Sequence, residues 1–295
     1  MVGILTILSR CHILITATQS SSGDAGITLI YDPCGQKITL GNIIILRKSN
    51  LNFNEMIYAL VPVSGREILL YHTIKRLDKQ TIPVTAICCG HTEDERAVCE
   101  GAGAEFIQCP PETPLGEKWQ RCVEWARDAG DAEAIMVLGS SDWIEDKWTE
   151  TLMAQPHQAV GVAGLYFYDI RPCNATRLYW WPGYTGKRRG EPIGTGRIVK
   201  RELLEKMNWE IFYRDYERSL DWSTTQLIEK TGEKMMCYEG ELKGMSISTY
   251  RWPNMHSFRG LMRTDKVEWY NDSRIAEFIP KYFPEGINLF NDNRT

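Results

Sequence analysis

Between Ile57 and Gly139 the sequence alternates short apolar segments with longer amphipathic ones. The apolar segments occupy residues 57–63, 81–90, 104–109 and 132–139. Runs that are apolar throughout are typical of strands buried on both faces of a sheet. The intervening segments carry apolar residues at helical spacing and predict helices at 67–78, 93–101 and 115–128. This alternation predicts an α/β fold with a mostly parallel sheet, flanked by helices and joined by right-handed crossovers.

Ligands of such sheets bind beyond the carboxyl ends of the strands. The loops expected at those ends span residues 64–66, 90–94, 110–118 and 139–146. Asp142 follows the fourth predicted strand, where a charged residue is usually functional. We expect it to lie within reach of the loops after Val63 and Cys89.

The second half of the chain is less regular. Residues 160–170 are apolar enough to predict one strand, and an aromatic-rich loop is expected around Trp180 and Trp181. Helices are expected at 200–207 and 222–230, where apolar residues recur at helical spacing.

Charge is distributed unevenly, although the net charge is only −4. Residues 85–155 contain fifteen acidic and five basic residues, whereas residues 171–218 contain eleven basic and six acidic ones. The second region predicts a basic surface that faces an anionic partner. An acidic and a basic protein surface that both face solvent, with no partner bound, would explain the same uneven charge distribution.

No transmembrane segment is expected. Apolar stretches in residues 1–20 are interrupted by Arg10 and His12, and they are too short to span a bilayer. The nine Cys residues show no metal-ligand spacing, and Cys88 and Cys89 are adjacent, which is a poor arrangement for mutual pairing. Buried thiols and a cytoplasmic location are therefore expected. Three Asn-x-Ser/Thr sequons indicate the opposite, at Asn174, Asn271 and Asn293.

Six short motifs, in order over residues 57–238, resemble those of the family 2 glycosyltransferases, which have the GT-A fold. They read LVPVSGRE with a Gln80–Pro83 turn, then CCGHTED, LGEKW, VLGSSDWIEDKW, GTGRIVKRELLEKMNW and SLDWST. The resemblance implies transfer of a sugar from a nucleotide-sugar donor, expected to be UDP-linked, by inverting displacement. The domains expected are an extension at 1–55, a catalytic domain at 56–250 and a tail at 251–295 that packs on or closes the site.

The extension joins short apolar runs through turn residues, which predicts a small β-rich segment. It is expected to be dispensable for donor binding, because the first family-like strand begins directly after Met56. Met56 could equally be the natural start of the protein.

The resemblance also implies a donor site. Its residues are Pro62, Val63, Ser64, Arg66, Cys89, Gly90, Thr92, Gly116, Lys118, Ser140, Ser141 and Asp142. Arg66 and Lys118 are the cations expected nearest the diphosphate. Cys89 stands where the family has an acid, which removes a hydrogen-bond acceptor for uracil and leaves the nucleotide open.

Inverting transfer needs a carboxylate that takes the acceptor's proton. The resemblance places Asp221 in that role, with Glu217 as the nearest substitute. Asp also favours helix N-termini, so a cap before the helix at 222–230 is the structural alternative.

A divalent cation, Mn²⁺ or Mg²⁺, would be held by Asp142 and His256. The family's Asp-x-Asp motif is degenerate here, because Gly139 and Ser141 replace its two acids. Such ions prefer several oxygen ligands, so this loss counts against metal dependence. A helix cap is again the structural alternative for Asp142.

The acceptor is expected to contact Trp180, Trp181, Tyr184 and Arg188. Aromatic faces bind sugars and bases, and cations bind phosphate. A glycan, a lipid-linked glycan or a nucleic acid would each fit, and an anionic acceptor fits best. Packing of Trp180 and Trp181 in the core is the equal alternative.

Two other functions remain open. A sugar nucleotidyltransferase shares the sheet, but the glycine-rich, Lys-bearing loop that it needs does not follow Val63. A non-catalytic carbohydrate- or nucleic-acid-binding module would explain the lost acidic pair.

Overall fold

The computed structural model of the 295-residue chain describes residues 56–170, 177–249, 268–270 and 272–284, together with four short N-terminal strands. These strands are β1 (Leu5–Leu8), β2 (Leu14–Ala17), β3 (Ile30–Tyr31) and β4 (Lys37–Ile38). They form two antiparallel pairs, β1 with β2 and β3 with β4. The chain divides into two compact units, Met1–Leu51 and Asn52–Thr295. The four strands described within the first unit agree with the β-rich segment predicted there.

The second unit opens with the predicted alternation of strands and helices. Its elements are β5 (Met56–Pro62), α1 (Glu67–Leu77), β6 (Val84–Gly90), α2 (Glu93–Ala102), β7 (Glu105–Gln108), α3 (Leu115–Ala129) and β8 (Ala132–Val137). Strand β5 pairs in parallel with β6 and β8, and β6 pairs in parallel with β7. The mostly parallel sheet flanked by helices is thus confirmed.

Three later strands complete the main sheet, and one of them runs against the others. After α4 (Trp148–Met153), these are β10 (Ala159–Val162), β13 (Ile198–Lys200) and β14 (Met235–Tyr238). The seven strands lie in the order β14-β10-β13-β8-β5-β6-β7. Strand β13 is antiparallel to both β10 and β8. The loop that precedes β13 therefore lies at the sheet edge where β8, β5 and β6 end.

A second, five-stranded sheet shares an apolar cluster with the first. It contains β9 (Asp142–Ile144), β11 (Leu165–Ile170), β12 (Arg177–Trp181), β15 (Gly244–Thr249) and β16 (Glu268–Tyr270), in the order β16-β12-β11-β15-β9. The remaining helices are α5 (Arg201–Lys206), α6 (Leu220–Glu229) and α7 (Asp272–Tyr282). Phe278 and Ile279 of α7 pack in one apolar cluster with Trp143 and Tyr166 of this sheet.

Two predictions about the second half are wrong. The segment 160–170 is two strands, because the chain leaves the main sheet after β10 and enters the second sheet as β11. Gly164 permits this crossing, since a Cβ there would lie 2.3 Å from the Trp180 ring and 2.7 Å from the Trp181 carbonyl oxygen. Trp180 and Trp181 lie in strand β12 rather than in a loop.

The side chains on the two sides of β5 pack into separate apolar clusters. Ile57 and Ala59 pack with α1, whereas Tyr58 and Leu60 pack with α3. This alternation is the expected result of a strand buried on both faces. In the described part of the chain, each helix is too short or too polar to cross a bilayer.

Candidate active site

The loops at the ends of β5, β6 and β8 and the loop before β13 meet at one edge of the main sheet, here called the carboxyl edge. The Val63 N–H donates to the Cys89 carbonyl over 2.8 Å, so the chain after β5 continues alongside β6. The Leu138 N–H donates to the Leu60 carbonyl over 3.1 Å, which extends β8 in the same way. Most of the predicted donor-site residues lie in these loops.

Glu95 fastens two of these loops together. Its carboxylate is 1% exposed and accepts backbone hydrogen bonds from Gly65 (2.7 Å), His91 (2.7 Å) and Thr92 (3.0 Å). The Thr92 hydroxyl accepts from the Glu95 N–H in return, which completes a capping box at the start of α2. Burial acts to raise the pKa of Glu95, but the three backbone hydrogen bonds together hold it below its ordinary value.

Lys118 lies inside the site rather than at its surface. It is 6% exposed, and its Nζ donates to the Val63 carbonyl over 2.8 Å. This bond ties α3 to the loop that follows β5. Cys89 lies nearby with Cys109 and Cys122, all three as free thiols. A hydrogen bond from Cys122 lowers the pKa of Cys89 against the effect of burial, and Cys109 and the Lys118 charge lower it further.

Asp142 joins the two sheets. It is 7% exposed and begins β9, so a cap for a following helix is excluded because α4 begins only at Trp148. Its Oδ1 accepts from the Ser246 hydroxyl over 2.6 Å. Its Oδ2 accepts from the Gly139 N–H over 3.0 Å and from the Thr195 hydroxyl over 2.7 Å. Asp142 thus fixes the loop after β8 to both β15 and the segment before β13.

Arg66 is a cation of the carboxyl edge that interacts electrostatically with Asp142. Its backbone φ of 66° is in the left-handed region, which an Arg rarely adopts and which sets the start of α1. Its Nη1 donates to the Ser141 hydroxyl over 3.1 Å. Burial lowers the pKa of Arg66, and the Asp142 charge opposes that effect. The buried Ser140 carbonyl accepts from Thr73 over 3.2 Å.

Of the two predicted metal ligands the structure describes Asp142, and the contacts of Asp142 do not favour a divalent cation. Both carboxylate oxygens of Asp142 already accept hydrogen bonds from protein groups. Within the ranges that the structure describes, no three His, Cys, Asp or Glu side chains are arranged to hold a metal ion. His256 and the sequons at Asn174, Asn271 and Asn293 lie outside those ranges. We therefore assign no chemical step to a metal.

Asp221 lies in the first turn of α6 and is held from several sides. Its Oδ2 accepts from the Tyr184 hydroxyl and, over 3.2 Å, from Nη2 of Arg188. Its Oδ1 accepts from the Trp222 N–H over 3.1 Å. The N-cap position of α6 is Ser219, so Asp221 is not the cap of this helix.

Arg188 is itself held in place. Glu191 accepts from its Nε over 2.6 Å and from its Nη2 over 2.9 Å, a two-point contact of the kind that fixes a guanidinium group. The guanidinium carbon lies 3.5 Å from the centre of the Tyr184 ring. Trp181 packs edge-on to Tyr184 at 5.2 Å. Three of the four expected acceptor residues therefore gather at Asp221.

Trp180 is the exception. Successive side chains of a strand point to opposite faces, so Trp180 faces away from Trp181. Its ring lies 4.7 Å from that of Tyr166 in the cluster of the second sheet. For Trp180, packing in the protein is the interpretation that the geometry supports.

A buried arginine connects Asp221 to the carboxyl edge. Arg197 is 1% exposed and donates to the carbonyls of Ile193 (2.7 Å), Asp221 (2.6 Å) and Pro192. Burial lowers the pKa of Arg197 to about 9, so its guanidinium is still protonated at neutral pH. These bonds fix the start of α6 against the segment before β13.

The segment Gly194–Thr195 lies between the two candidate carboxylates. A Cβ on Gly194 would lie 3.7 Å from Cβ of Asp221, and Thr195 donates to Asp142. Asp142 and Asp221 are 79 positions apart in the sequence. The structure brings them to adjoining residues of one short loop.

Two predicted residues lie elsewhere: Gly116 is at the start of α3, and Glu217 is on the segment before α6 and contacts the start of α3. The Gly116 N–H donates to the Tyr216 carbonyl over 2.8 Å, and a Cβ on Gly116 would lie 2.0 Å from the Tyr213 carbonyl oxygen. Glu217 accepts from the Leu115 N–H over 3.3 Å. Gly116 thus serves a close backbone contact, and Glu217 is separate from the hydrogen bonds of Asp221.

The other donor-site residues lie at the floor and rim of the carboxyl edge. Pro62 ends β5 and is partly buried, and Ser64 is exposed. Gly90 ends β6, where a Cβ would lie 2.7 Å from a Glu95 oxygen and 3.0 Å from the Phe106 ring. Only glycine fits at this position without displacing the Glu95 carboxylate.

Sequence reasoning missed five residues that organise this site: Glu95, Glu191, Thr195, Arg197 and Ser246. Glu95 carries a readable signal, since Thr-x-x-Glu at 92–95 is a capping box before a helix. The other four act through contacts with residues on other strands and loops. No local pattern in the sequence marks them.

Comparison with known proteins gives only weak similarities. No protein-family model matches the chain, and no curated protein sequence matches it. The chain is similar to a crystal structure of TarS, a glycosyltransferase of S. aureus, with a TM-score of 0.40 and 11% identity over 66% of this chain and 35% of that one. A structure of TarS residues 1–349 gives a TM-score of 0.44 and 12% identity over 80% and 64% of the two chains. The chain thus spans less than two thirds of either TarS chain, and its function is argued below from its own residues.

Proposed function

We propose that this protein transfers a sugar from a nucleotide-sugar donor to a hydroxyl of an anionic acceptor, with inversion at the anomeric carbon. The observation that carries the proposal is the convergence of Asp142 and Asp221 on the segment Gly194–Thr195. That segment lies at the carboxyl edge, where sheets of this kind bind their ligands.

Asp221 is the general base of the proposed reaction. Its carboxylate accepts the proton of the acceptor hydroxyl while the hydroxyl oxygen bonds to the anomeric carbon. The bond from that carbon to the donor's phosphate oxygen breaks, and the nucleoside diphosphate leaves with the bonding electrons. Arg188 and Tyr184 hold the carboxylate in one orientation, which is what a general base requires.

Arg66 supports the leaving group in this proposal. It lies at the end of β5 beside Ser141, on the side of Gly194–Thr195 that Asp142 occupies. A half-buried guanidinium near the departing diphosphate stabilises the negative charge that develops there. Lys118 contributes by fixing the Val63 carbonyl beneath the site.

The Glu95 contact counts against a sugar nucleotidyltransferase. Such an enzyme binds a triphosphate through backbone N–H groups of the loop after its first strand. Here the Gly65 N–H of that loop is bound by the Glu95 carboxylate, whose negative charge would repel phosphate. The same carboxylate is compatible with a nucleoside bound above it.

Nucleoside diphosphates provide the direct test of the donor site. UDP at 100 times its dissociation constant should stabilise the folded protein by about 2.7 kcal/mol, and GDP, CMP and dTDP serve as comparisons. Because protein groups already occupy both carboxylate oxygens of Asp142, Mn²⁺ should leave the shift in melting temperature unchanged. Slow hydrolysis of the matching nucleotide-sugar should accompany binding. Release of pyrophosphate from a triphosphate would support the nucleotidyltransferase instead, and an absence of hydrolysis would support a binding module.

Two substitutions of Asp142 separate a positioning role from metal binding. The hydroxyls of Ser246 and Thr195 can accept hydrogen bonds as well as donate them, so the amide of Asp142→Asn can keep these contacts. This substitution should lower the free energy of unfolding by only about 1 kcal/mol. UDP should still stabilise that variant. Asp142→Ala leaves the Gly139 N–H without its partner and should lower the free energy of unfolding by about 2–4 kcal/mol. Stabilisation by UDP should also be lost in this variant. If Asp142→Asn instead loses only the part of UDP stabilisation that needs Mn²⁺, Asp142 is a metal ligand.

A further inference from the structure

Three exposed cations lie in the two segments that meet at the candidate base. Most basic residues of the region 171–218 contact protein groups, as Arg188, Arg197 and Arg214 do. Lys187, Arg189 and Arg218 are exposed, and no ion pair within the described ranges includes them. Cations without partners are the ones available to bind phosphate.

These three cations are close in the chain to Arg188 and Asp221, which contact each other. Lys187 and Arg189 are the neighbours of Arg188, whose Nη2 lies 3.2 Å from the Asp221 carboxylate. They belong to a short 3₁₀ turn around Gly186–Arg188, in which the inward side chain is Arg188. Arg218 precedes Asp221 by three residues at the start of α6.

Two exposed aromatic residues lie in the segment around Asp221. Trp222 follows Asp221 directly in α6 and is 41% exposed, and its backbone N–H donates to Oδ1 of Asp221. Tyr216, on the segment that leads into α6, is 38% exposed. Exposed aromatic faces of this size act as platforms for bases and sugars, and Trp is the largest of them.

We propose that the acceptor is a single-stranded nucleic acid, an inference that rests on the proposed transfer reaction. Its phosphates would contact Lys187, Arg189 and Arg218, and a base beside the reacting hydroxyl would stack on Trp222. Aromatic platforms interleaved with cations are the common device of single-strand binding. A phosphate-rich polymer without bases would use the cations and gain less from an indole ring. The preference for a single strand follows because a base must leave its stack to reach Trp222.

Binding of a labelled single strand of about 12 nucleotides, measured by fluorescence anisotropy without donor, tests the stacking contact. Trp222→Ala should weaken binding about 10-fold or more, since the loss of one stacked base has that effect. Tyr71→Ala is the matched control, because Tyr71 is also 41% exposed but lies on α1. Equal binding by Trp222→Ala and the unaltered protein would overturn the stacking assignment.

Salt dependence tests the phosphate contacts. Replacing Lys187, Arg189 and Arg218 by Gln should reduce the slope of log affinity against log salt by about 2, at about 0.7 for each single-strand contact. Lys234→Gln should leave the slope unchanged, because Lys234 is exposed just before β14 and so lies at the opposite sheet edge. An unchanged slope in the triple variant would overturn the phosphate site.

The two proposals fail in distinguishable ways. One outcome is that inorganic polyphosphate competes with the oligonucleotide at equal affinity, while Trp222→Ala leaves oligonucleotide binding unchanged. That pair of results would show a general polyanion site and overturn the nucleic-acid assignment. UDP stabilisation and Asp221-dependent hydrolysis would then still support the transferase. Trp222-dependent oligonucleotide binding in a protein that binds no nucleotide-sugar would instead overturn the transferase and keep the nucleic-acid site.

Discussion

Asp221→Asn should slow sugar transfer about 100-fold or more while donor affinity stays unchanged. The amide keeps the shape of the side chain, and its oxygen can still accept from Arg188 and Tyr184. The NH₂ group then replaces the oxygen that accepts from the Trp222 N–H, so a small loss of stability accompanies the substitution. The lost capacity to take the acceptor's proton corresponds to about 2.7 kcal/mol in the activation barrier. Turnover, UDP affinity and melting temperature measured on the same preparation test this prediction.

Asp215→Asn is the control for the loss of one negative charge in this part of the surface. Asp215 is exposed on the segment before α6, and turnover should remain normal in that variant. A purely structural role for Asp221 would appear as a stability loss of about 1 kcal/mol with near-normal turnover. Full activity in Asp221→Asn would end the assignment and move attention to Glu217.

Glu95→Gln should lower the free energy of unfolding by about 2–4 kcal/mol. The carboxylate accepts three backbone N–H groups in a nearly inaccessible position. An amide cannot replace it, because its NH₂ group would face at least one of those donors. Chemical denaturation at neutral pH measures the change, and UDP stabilisation should fall with it because two site loops lose their common support.

The pH dependence of this effect has a definite sign. The pKa of Glu95 is lower in the folded protein than its ordinary value, so its contribution is present above the unfolded pKa of about 4.3. That contribution is lost as the pH falls through the lower folded pKa. The difference between the unaltered protein and Glu95→Gln should therefore shrink on acidification.

Glu93→Gln provides the matched control in the same helical turn. Its side chain is 73% exposed and pairs only with Arg96 at the surface, so its loss should change stability by well under about 1 kcal/mol. A stability loss in Glu95→Gln no larger than that in Glu93→Gln would show that the three backbone contacts do not hold the loops.

The first half of the fold was predictable because its information is local. Each sequence segment from Ile57 to Gly139 is either apolar throughout, as in a buried strand, or amphipathic, as in a helix. Parallel pairing of the strands follows directly from this strand–helix alternation. The carboxyl edge, and with it Arg66 and Asp142 as neighbours, follows from the same pattern. The capping box of Glu95 was equally readable.

The rest depends on contacts between distant residues. The apolar run at 160–170 gives no sign that it serves two sheets, because the reason lies in the close approach of β12 to Gly164. Ser246 reaches Asp142 only because β15 pairs with β9. The antiparallel insertion of β13, which brings Thr195 to the carboxyl edge, likewise has no local signature.

The antiparallel course of β13 has a kinetic consequence. It gives the donor and acceptor sides of the proposed site one common hinge, the segment from Pro192 to Arg197, which is bonded to Asp142 at Thr195 and to the Asp221 carbonyl at Arg197. A displacement of that hinge moves both carboxylates together. Binding of the donor should therefore fix the position of the Asp221 carboxylate before the acceptor binds. The two substrates of such an enzyme would then bind in a fixed order, with the donor first.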